Sequence, residues 1–251
     1  MTGAPNFVFV HGGGQGGWIW DETVEALRRQ DAAASALALD LAGCGEKRGR
    51  DVSGLTSRDV AADAVEDLAR SGLKEVVLVG HSNAGTVMPH MAALRPDLIR
   101  RMVYVSCMAA PAGRSVIQML GTSRHGENDD EIGWPFDPKA AIGMEDRYRL
   151  MFCNDMEPAQ TEAFLAKLGN DHWPTPAAVS EETDWRYDHL DAIASTYVVC
   201  LQDQILTPAW QERLAERLKC SRLVRLDAGH QAMNTRPHTL AEILLREAEA
   251  G

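Results

Sequence analysis

A serine hydroxyl is a weak nucleophile until a neighbouring base removes its proton and an acid holds that base in register. Three residues of this chain have the types needed for that arrangement: Ser82, His230 and Asp203. Ser82 lies in Val76-Val77-Leu78-Val79-Gly80-His81-Ser82-Asn83-Ala84-Gly85, where a fully apolar stretch runs into a serine among small residues. A sharp strand-to-helix turn of this composition holds the serine with its hydroxyl exposed. The usual Gly-x-Ser-x-Gly pattern wants glycine two residues after the serine, but Ala84 stands there and Gly85 follows. Alanine is the mildest departure, because a methyl group crowds the turn least. An ordinary glycine-rich connection would look much the same, so the rest of the chain has to decide.

The base must be chosen from eight histidines. His230 stands out in Leu226-Asp227-Ala228-Gly229-His230, where a glycine-bearing loop directly follows the last apolar run and can aim a side chain over the end of a sheet. His11 falls in the first loop, His81 in the turn itself and His90 on the helix after it; His125, His172 and His189 belong to a long intervening segment. Asp203, in Cys200-Leu201-Gln202-Asp203-Gln204, also follows an apolar run and completes the chain order serine, acid, histidine. Asp227 is the competing acid, but strand geometry points it elsewhere. An oxyanion formed on an attacked ester needs preorganised N–H donors. The backbone N–H groups of Gly13 and Asn83 are the candidates, the former in the loop His11-Gly12-Gly13-Gly14-Gln15-Gly16-Gly17-Trp18.

That loop also contains Gly-x-Gly-x-x-Gly after a strand, and the next strand ends in Asp40, as in a dinucleotide-binding unit. Two features oppose this reading. The bulky Trp18-Ile19-Trp20 begins where a close-packed phosphate-binding helix should already be running, and Ser82, Asp203 and His230 would have no role. No cofactor is therefore expected.

The elements that must position these residues follow from periodicity. Phe7–Val10, Ala36–Leu39, Val76–Val79, Met102–Val105, Tyr197–Leu201 and Leu223–Leu226 are short, β-branched, apolar runs, the signature of strands buried on both faces. Helical spacing appears over Ser57–Leu68, Pro208–Leu218 and Thr239–Ala248. The alternation predicts an α/β fold with a six-stranded, mainly parallel sheet flanked by helices. Residues 107–195 break the rhythm. They are rich in Met, Trp, Pro and acidic residues, hold no convincing strand, and contain one evident helix over Pro158–Leu168. The expected organisation is thus a core of residues 1–106 and 196–251 with a mainly helical cap, 107–195, inserted between the fourth and fifth strands. Methionines and aromatics of the cap, among them Met108, Met144, Met151, Trp134, Phe136 and Trp173, can pack it down or line an adaptable pocket.

Composition narrows the function classes. With 251 residues, 45% of them hydrophobic, the chain suits one compact domain. Lys and Arg number 25 against 36 Asp and Glu, a net charge of −11 that would repel nucleic acid. Five scattered cysteines form no Cys-x-x-Cys pair, which argues against zinc and for reduced thiols. No apolar run approaches the roughly 18 residues of a membrane span, and no basic segment precedes Phe7–Val10. A cytoplasmic location without membrane attachment is the expectation.

Together these segments resemble the α/β-hydrolase superfamily over essentially the whole chain, and within it the plant methyl-ester esterases, hydroxynitrile lyases and their bacterial esterase relatives. The resemblance rests on His11-Gly12-Gly13 with Gly16-Gly17-Trp18, on Gly80-His81-Ser82, on Gln202-Asp203-Gln204 and on Gly229-His230. Asp40-Leu41-Ala42-Gly43-Cys44-Gly45 replaces the family's Asp-Leu-Pro-Gly-x-Gly loop. It implies the α/β-hydrolase fold without the two leading strands of larger members, a helical cap, no cofactor or metal, and often a homodimer. The lyases of this branch carry threonine at the position of Gly12 and lysine at that of Gln231, directly after the histidine. Glutamine cannot hold a leaving cyanide by charge, so both positions favour hydrolysis of a small, largely apolar or aromatic ester by a serine carboxylesterase. Carbamate or amide hydrolysis, a lyase or cofactor-free oxygenase on the same scaffold, and a non-catalytic small-molecule receptor are the alternatives. Gly12, Trp134 and Gln231 are the residues expected to face the substrate.

Overall fold

The computed structural model describes residues 4–250. Its chain order is β1 (Asn6–Val10), α1 (Asp21–Gln30), β2 (Ser35–Leu39), α2 (Ser57–Ser71), β3 (Val76–His81), α3 (Met88–Leu94) and β4 (Ile99–Val105). Then come α4 (Val116–Leu120), α5 (Met144–Phe152) and α6 (Pro158–Leu165), followed by β5 (Ala194–Cys200), α7 (Pro208–Arg217), β6 (Arg222–Leu226), α8 (Ala232–Thr235) and α9 (Pro237–Glu249). The six strands form one sheet in the order β2-β1-β3-β4-β5-β6. Every pairing is parallel.

β3 is central, and all six of its residues are buried. Its alternate side chains feed two cores: Val76 and Leu78 pack with α2, α3 and residues of the cap, while Val77 and Val79 face α1 and α9. A strand covered on both sides must be apolar throughout, which is why no alternation marks it in the sequence. β4 starts three residues earlier than its apolar run suggested, because Arg100 and Arg101 disguise its first turn of pairing. Arg101 is accommodated in the interior by Glu247 of α9, with Nε to Oε2 at 3.0 Å, and Thr196 of β5 donates to the same carboxylate at 2.6 Å. β5 likewise begins at Ala194, inside the stretch expected to be insertion.

The chain leaves β1 toward one edge of the sheet and resumes at β3 on the other side of β1. The carboxyl ends of β1 and β3 therefore border the point where strand order reverses, the usual ligand crevice of an open α/β sheet. Register makes the edge level. Val10 pairs with Gly80, His81 with Val105, Val105 with Val198 and Cys200 with Leu226. Everything that follows these residues emerges side by side. Residues between β4 and β5, which we call the cap, hold α4, α5 and α6 and lie over this edge.

Candidate active site

The turn after β3 gives Ser82 a φ of +53°, a left-handed conformation that non-glycine residues adopt only where surroundings impose it. Two glycines permit the close packing around it. A Cβ on Gly80 would run into the Met88 sulfur, and one on Gly85 into the Met108 carbonyl. Ala84 is buried without such a conflict. The position that requires glycine is therefore 85 rather than 84, which accounts for the displaced motif.

Ser82 Oγ lies 3.0 Å from His230 Nε2, and His230 Nδ1 lies 2.7 Å from Asp203 Oδ2. An ionised carboxylate only accepts, so the Nδ1–H donates to Asp203 and the Nε2 lone pair faces the serine hydroxyl. The acid is itself held firmly. Its Oδ1 accepts the backbone N–H groups of Ile205 at 2.7 Å and Leu206 at 3.0 Å, and its Oδ2 also accepts the Ser106 hydroxyl at 2.5 Å. Ser106 directly follows β4 with a φ of +43°. Sequence reasoning missed it; the available signal was a polar residue at a strand's carboxyl end. Asp227, the competing acid, instead accepts Gln202 Nε2 at 2.6 Å.

A cavity of about 360 Å³ opens over Ser82. Gly13, Asn83 and Trp134 line it together with apolar residues of the cap, and no charged side chain does. A Cβ on Gly13 would lie 3.8 Å from the Asn83 side chain, so the two candidate donors are neighbours at the serine. Gly12 and Gln231 do not face the cavity, which corrects the expectation for both. Gly12 is pressed beneath it: an added Cβ would sit 2.9 Å from Ser82 Cβ and 3.1 Å from His81 Nδ1. Gln231 is wholly buried, and neither amide atom has a partner among the described residues.

Two further histidines sit beneath the serine. His11 Nε2 accepts the Leu41 N–H at 3.1 Å, which fixes Nδ1–H as the donor to the Gly12 carbonyl at 2.8 Å. Burial lowers its pKa below the usual histidine value. His81 Nε2 donates to the His230 carbonyl at 2.9 Å; burial, reinforced by the neighbouring His230, pushes its pKa well below the ordinary value. Both are neutral. Asp40 is occupied within the fold, accepting the N–H groups of Gly17 at 2.8 Å and Glu46 at 3.0 Å.

The loops carrying the acid and the base are clasped from above by the turn that follows α5. Asp155 Oδ2 accepts the Gly229 N–H at 2.8 Å, and Asn154 Nδ2 donates to the Gln202 carbonyl at 2.9 Å. Phe152 packs against the His230 ring at 5.7 Å between centroids. A Cβ on Gly229 would collide with the Asp155 carboxylate, so the glycine before the histidine makes room for the cap.

A model of the alpha/beta hydrolase family matches residues 7–243. Among similar proteins, a carbendazim hydrolyzing esterase from Nocardioides sp. (strain SG-4G) is 25% identical over 95% of this chain and 98% of its own length. Methylesterase 18 of Arabidopsis thaliana is 27% identical, covering 98% and 97%. The chain spans 64% of the length of a chloroplastic methylesterase-type relative from the same plant, to which it is 25% identical over 97% of its own residues. An extracellular alpha/beta-hydrolase from a Paenibacillus species superimposes with a TM-score of 0.75 at 21% identity, over 96% of this chain and 98% of that one. At that identity the superposition speaks to fold alone.

Proposed function

Because this chain belongs to the alpha/beta hydrolase family, we propose that it is a serine carboxylesterase acting on an uncharged, largely apolar ester. The observation that carries this reading is the imidazole of His230 held between Ser82 Oγ at 3.0 Å and Asp203 Oδ2 at 2.7 Å, with Ser82 lining an apolar cavity. Relatives named as esterases at 25% and 27% identity support the same chemistry.

The proposed steps use each of these groups in turn. His230 Nε2 takes the Ser82 proton as Oγ attacks the ester carbonyl, and Asp203 keeps the tautomer that makes this possible. The tetrahedral oxyanion is stabilised by the Gly13 and Asn83 N–H groups. The imidazolium then protonates the departing alkoxide, leaving Ser82 acylated. Water, deprotonated by the same imidazole, attacks the acyl group and releases the acid with the serine restored.

The test is steady-state hydrolysis of p-nitrophenyl acetate. Ser82→Ala and His230→Ala should each lower kcat by up to ~10⁶, with Asp203→Asn somewhat less affected. Near wild-type turnover by folded Ser82→Ala sinks the assignment. Mandelonitrile should release no cyanide above background; enzyme-dependent release abolished by Ser82→Ala would make the protein a lyase instead.

A further inference from the structure

The cavity over Ser82 has a neighbour across the cap. Trp134, Tyr148 and Met151 form its outer wall and at the same time the inner wall of a second cavity of about 310 Å³. Phe136, Pro138, Met144 and Arg147 complete this outer chamber. One helix face lines both: Met144, Arg147, Tyr148 and Met151 are spaced i, i+3, i+4, i+7 along α5, a single stripe about 10 Å long at 1.5 Å per residue.

We infer that the substrate carries a long, uncharged, apolar limb that leaves the inner cavity between Trp134, Tyr148 and Met151 and lies along this stripe. This deepens the esterase reading and rests on it for the chemistry at Ser82. The chamber wall is built to receive hydrocarbon. Trp134 spends its Nε1–H on the Gly121 carbonyl at 2.9 Å, so only its ring faces outward, and it stacks on Phe136 at 5.8 Å and 25°. Arg147, the one cation of the chamber, lies over the Phe136 ring at 5.1 Å and donates to the carbonyls of Pro138, Ala140 and Ile142. Its guanidinium is thus committed to the cap backbone and does not wait for an anion. An anionic limb finds no free cation among the described residues on the other side either: the groove beyond Tyr148 and Leu168 presents Glu145 and Glu162, which share Arg149. Met144 is 58% exposed, an apolar side chain left in solvent at the chamber's rim, which a bound hydrocarbon would cover.

The experiment compares kcat/KM for p-nitrophenyl acetate, hexanoate and decanoate, and for ethyl, hexyl and decyl acetate, all below their micellar concentrations. At least a tenfold rise with length in one series is expected, and that series identifies the limb. Met144→Glu, at an exposed position where the fold is not at risk, should cut the decanoate-to-acetate or decyl-to-ethyl ratio at least fivefold by placing a carboxylate in the chamber. Acetate turnover with no length dependence in either series, or a ratio indifferent to Met144→Glu, overturns the proposal. If no ester is hydrolysed in a Ser82-dependent way, the esterase reading fails by itself. The chamber is then judged by tryptophan quenching in Ser82→Ala, where decanoate should bind at least tenfold tighter than acetate and Met144→Glu should remove the difference; equal affinities overturn it.

Discussion

At the scale of single residues, the least conspicuous member of the site makes the sharpest prediction. Ser106 has no contact with the serine or the histidine among its hydrogen bonds, yet its hydroxyl shares Asp203 Oδ2 with His230. A hydrogen bond to a buried charge contributes roughly 1.5–3 kcal/mol, so Ser106→Ala should lower kcat about 10- to 100-fold while KM changes little. Stopped-flow acylation of Ser106→Ala at wild-type speed would show that the two backbone donors alone fix the acid. Gly12→Ala should also lower kcat, because its methyl group would force Ser82 Cβ from a position only 2.9 Å away. Ser82, Asp203 and His230 could be chosen from sequence because each follows an apolar run that ends at one edge of a parallel sheet. Gly12 and Gln231 could not be placed that way. Adjacency in the chain to a loop or to the base says nothing of which side a residue faces, and both turn inward.

At the scale of elements, the clasp from the turn after α5 ties the loop after β5 to the loop after β6. Asp155 holds Gly229 beside the base, and Asn154 holds Gln202 beside the acid. Losing Asp155 leaves the Gly229 N–H without its acceptor and frees the histidine loop. Asp155→Ala should therefore lower kcat on p-nitrophenyl acetate about tenfold, with KM within about twofold, and Asp155→Asn, which keeps an acceptor, should recover most of the loss. Unchanged kcat in folded Asp155→Ala would mean that the strand ends position His230 unaided. Strands and the core helices α2, α7 and α9 were readable because burial on two faces, or on one, imposes runs or a 3.6-residue period. The cap was readable mainly as an absence of that pattern. Its only evident helix was α6; α4 has five residues, too short for a period to show, and α5 spends part of its face on the two chambers rather than on a core. Arg101 hid the start of β4 because its partner, Glu247, is 146 residues away in sequence.

At the scale of the whole molecule, two neutral histidines under the serine link stability to pH. His11 and His81 have pKa values lowered by burial, whereas in the unfolded chain they titrate near ~6.5. Below that value the unfolded state binds more protons than the folded one, so stability present above ~6.5 is lost as pH falls toward each folded-state pKa. Each histidine contributes a slope of up to ~1.4 kcal/mol per pH unit. Urea unfolding between pH 7 and 5 should show the decline, and His81→Gln should flatten it by about one histidine's share; an unaltered slope would mean that His81 is protonated in the folded protein. Strand number and the α/β class were legible from the whole chain, whereas the position of β1 between β2 and β3 was not, since hydrophobic pattern carries no information on which strands are neighbours. The clasp has a consequence for engineering. A cap is easily imagined as an exchangeable lid that sets substrate choice while the machinery below stays constant. Here Asn154 and Asp155 make the lid a partner in holding that machinery, so a transplanted lid without these two residues would bring a new pocket yet arrive without the fastening these loops use, unless the graft begins after Asp155.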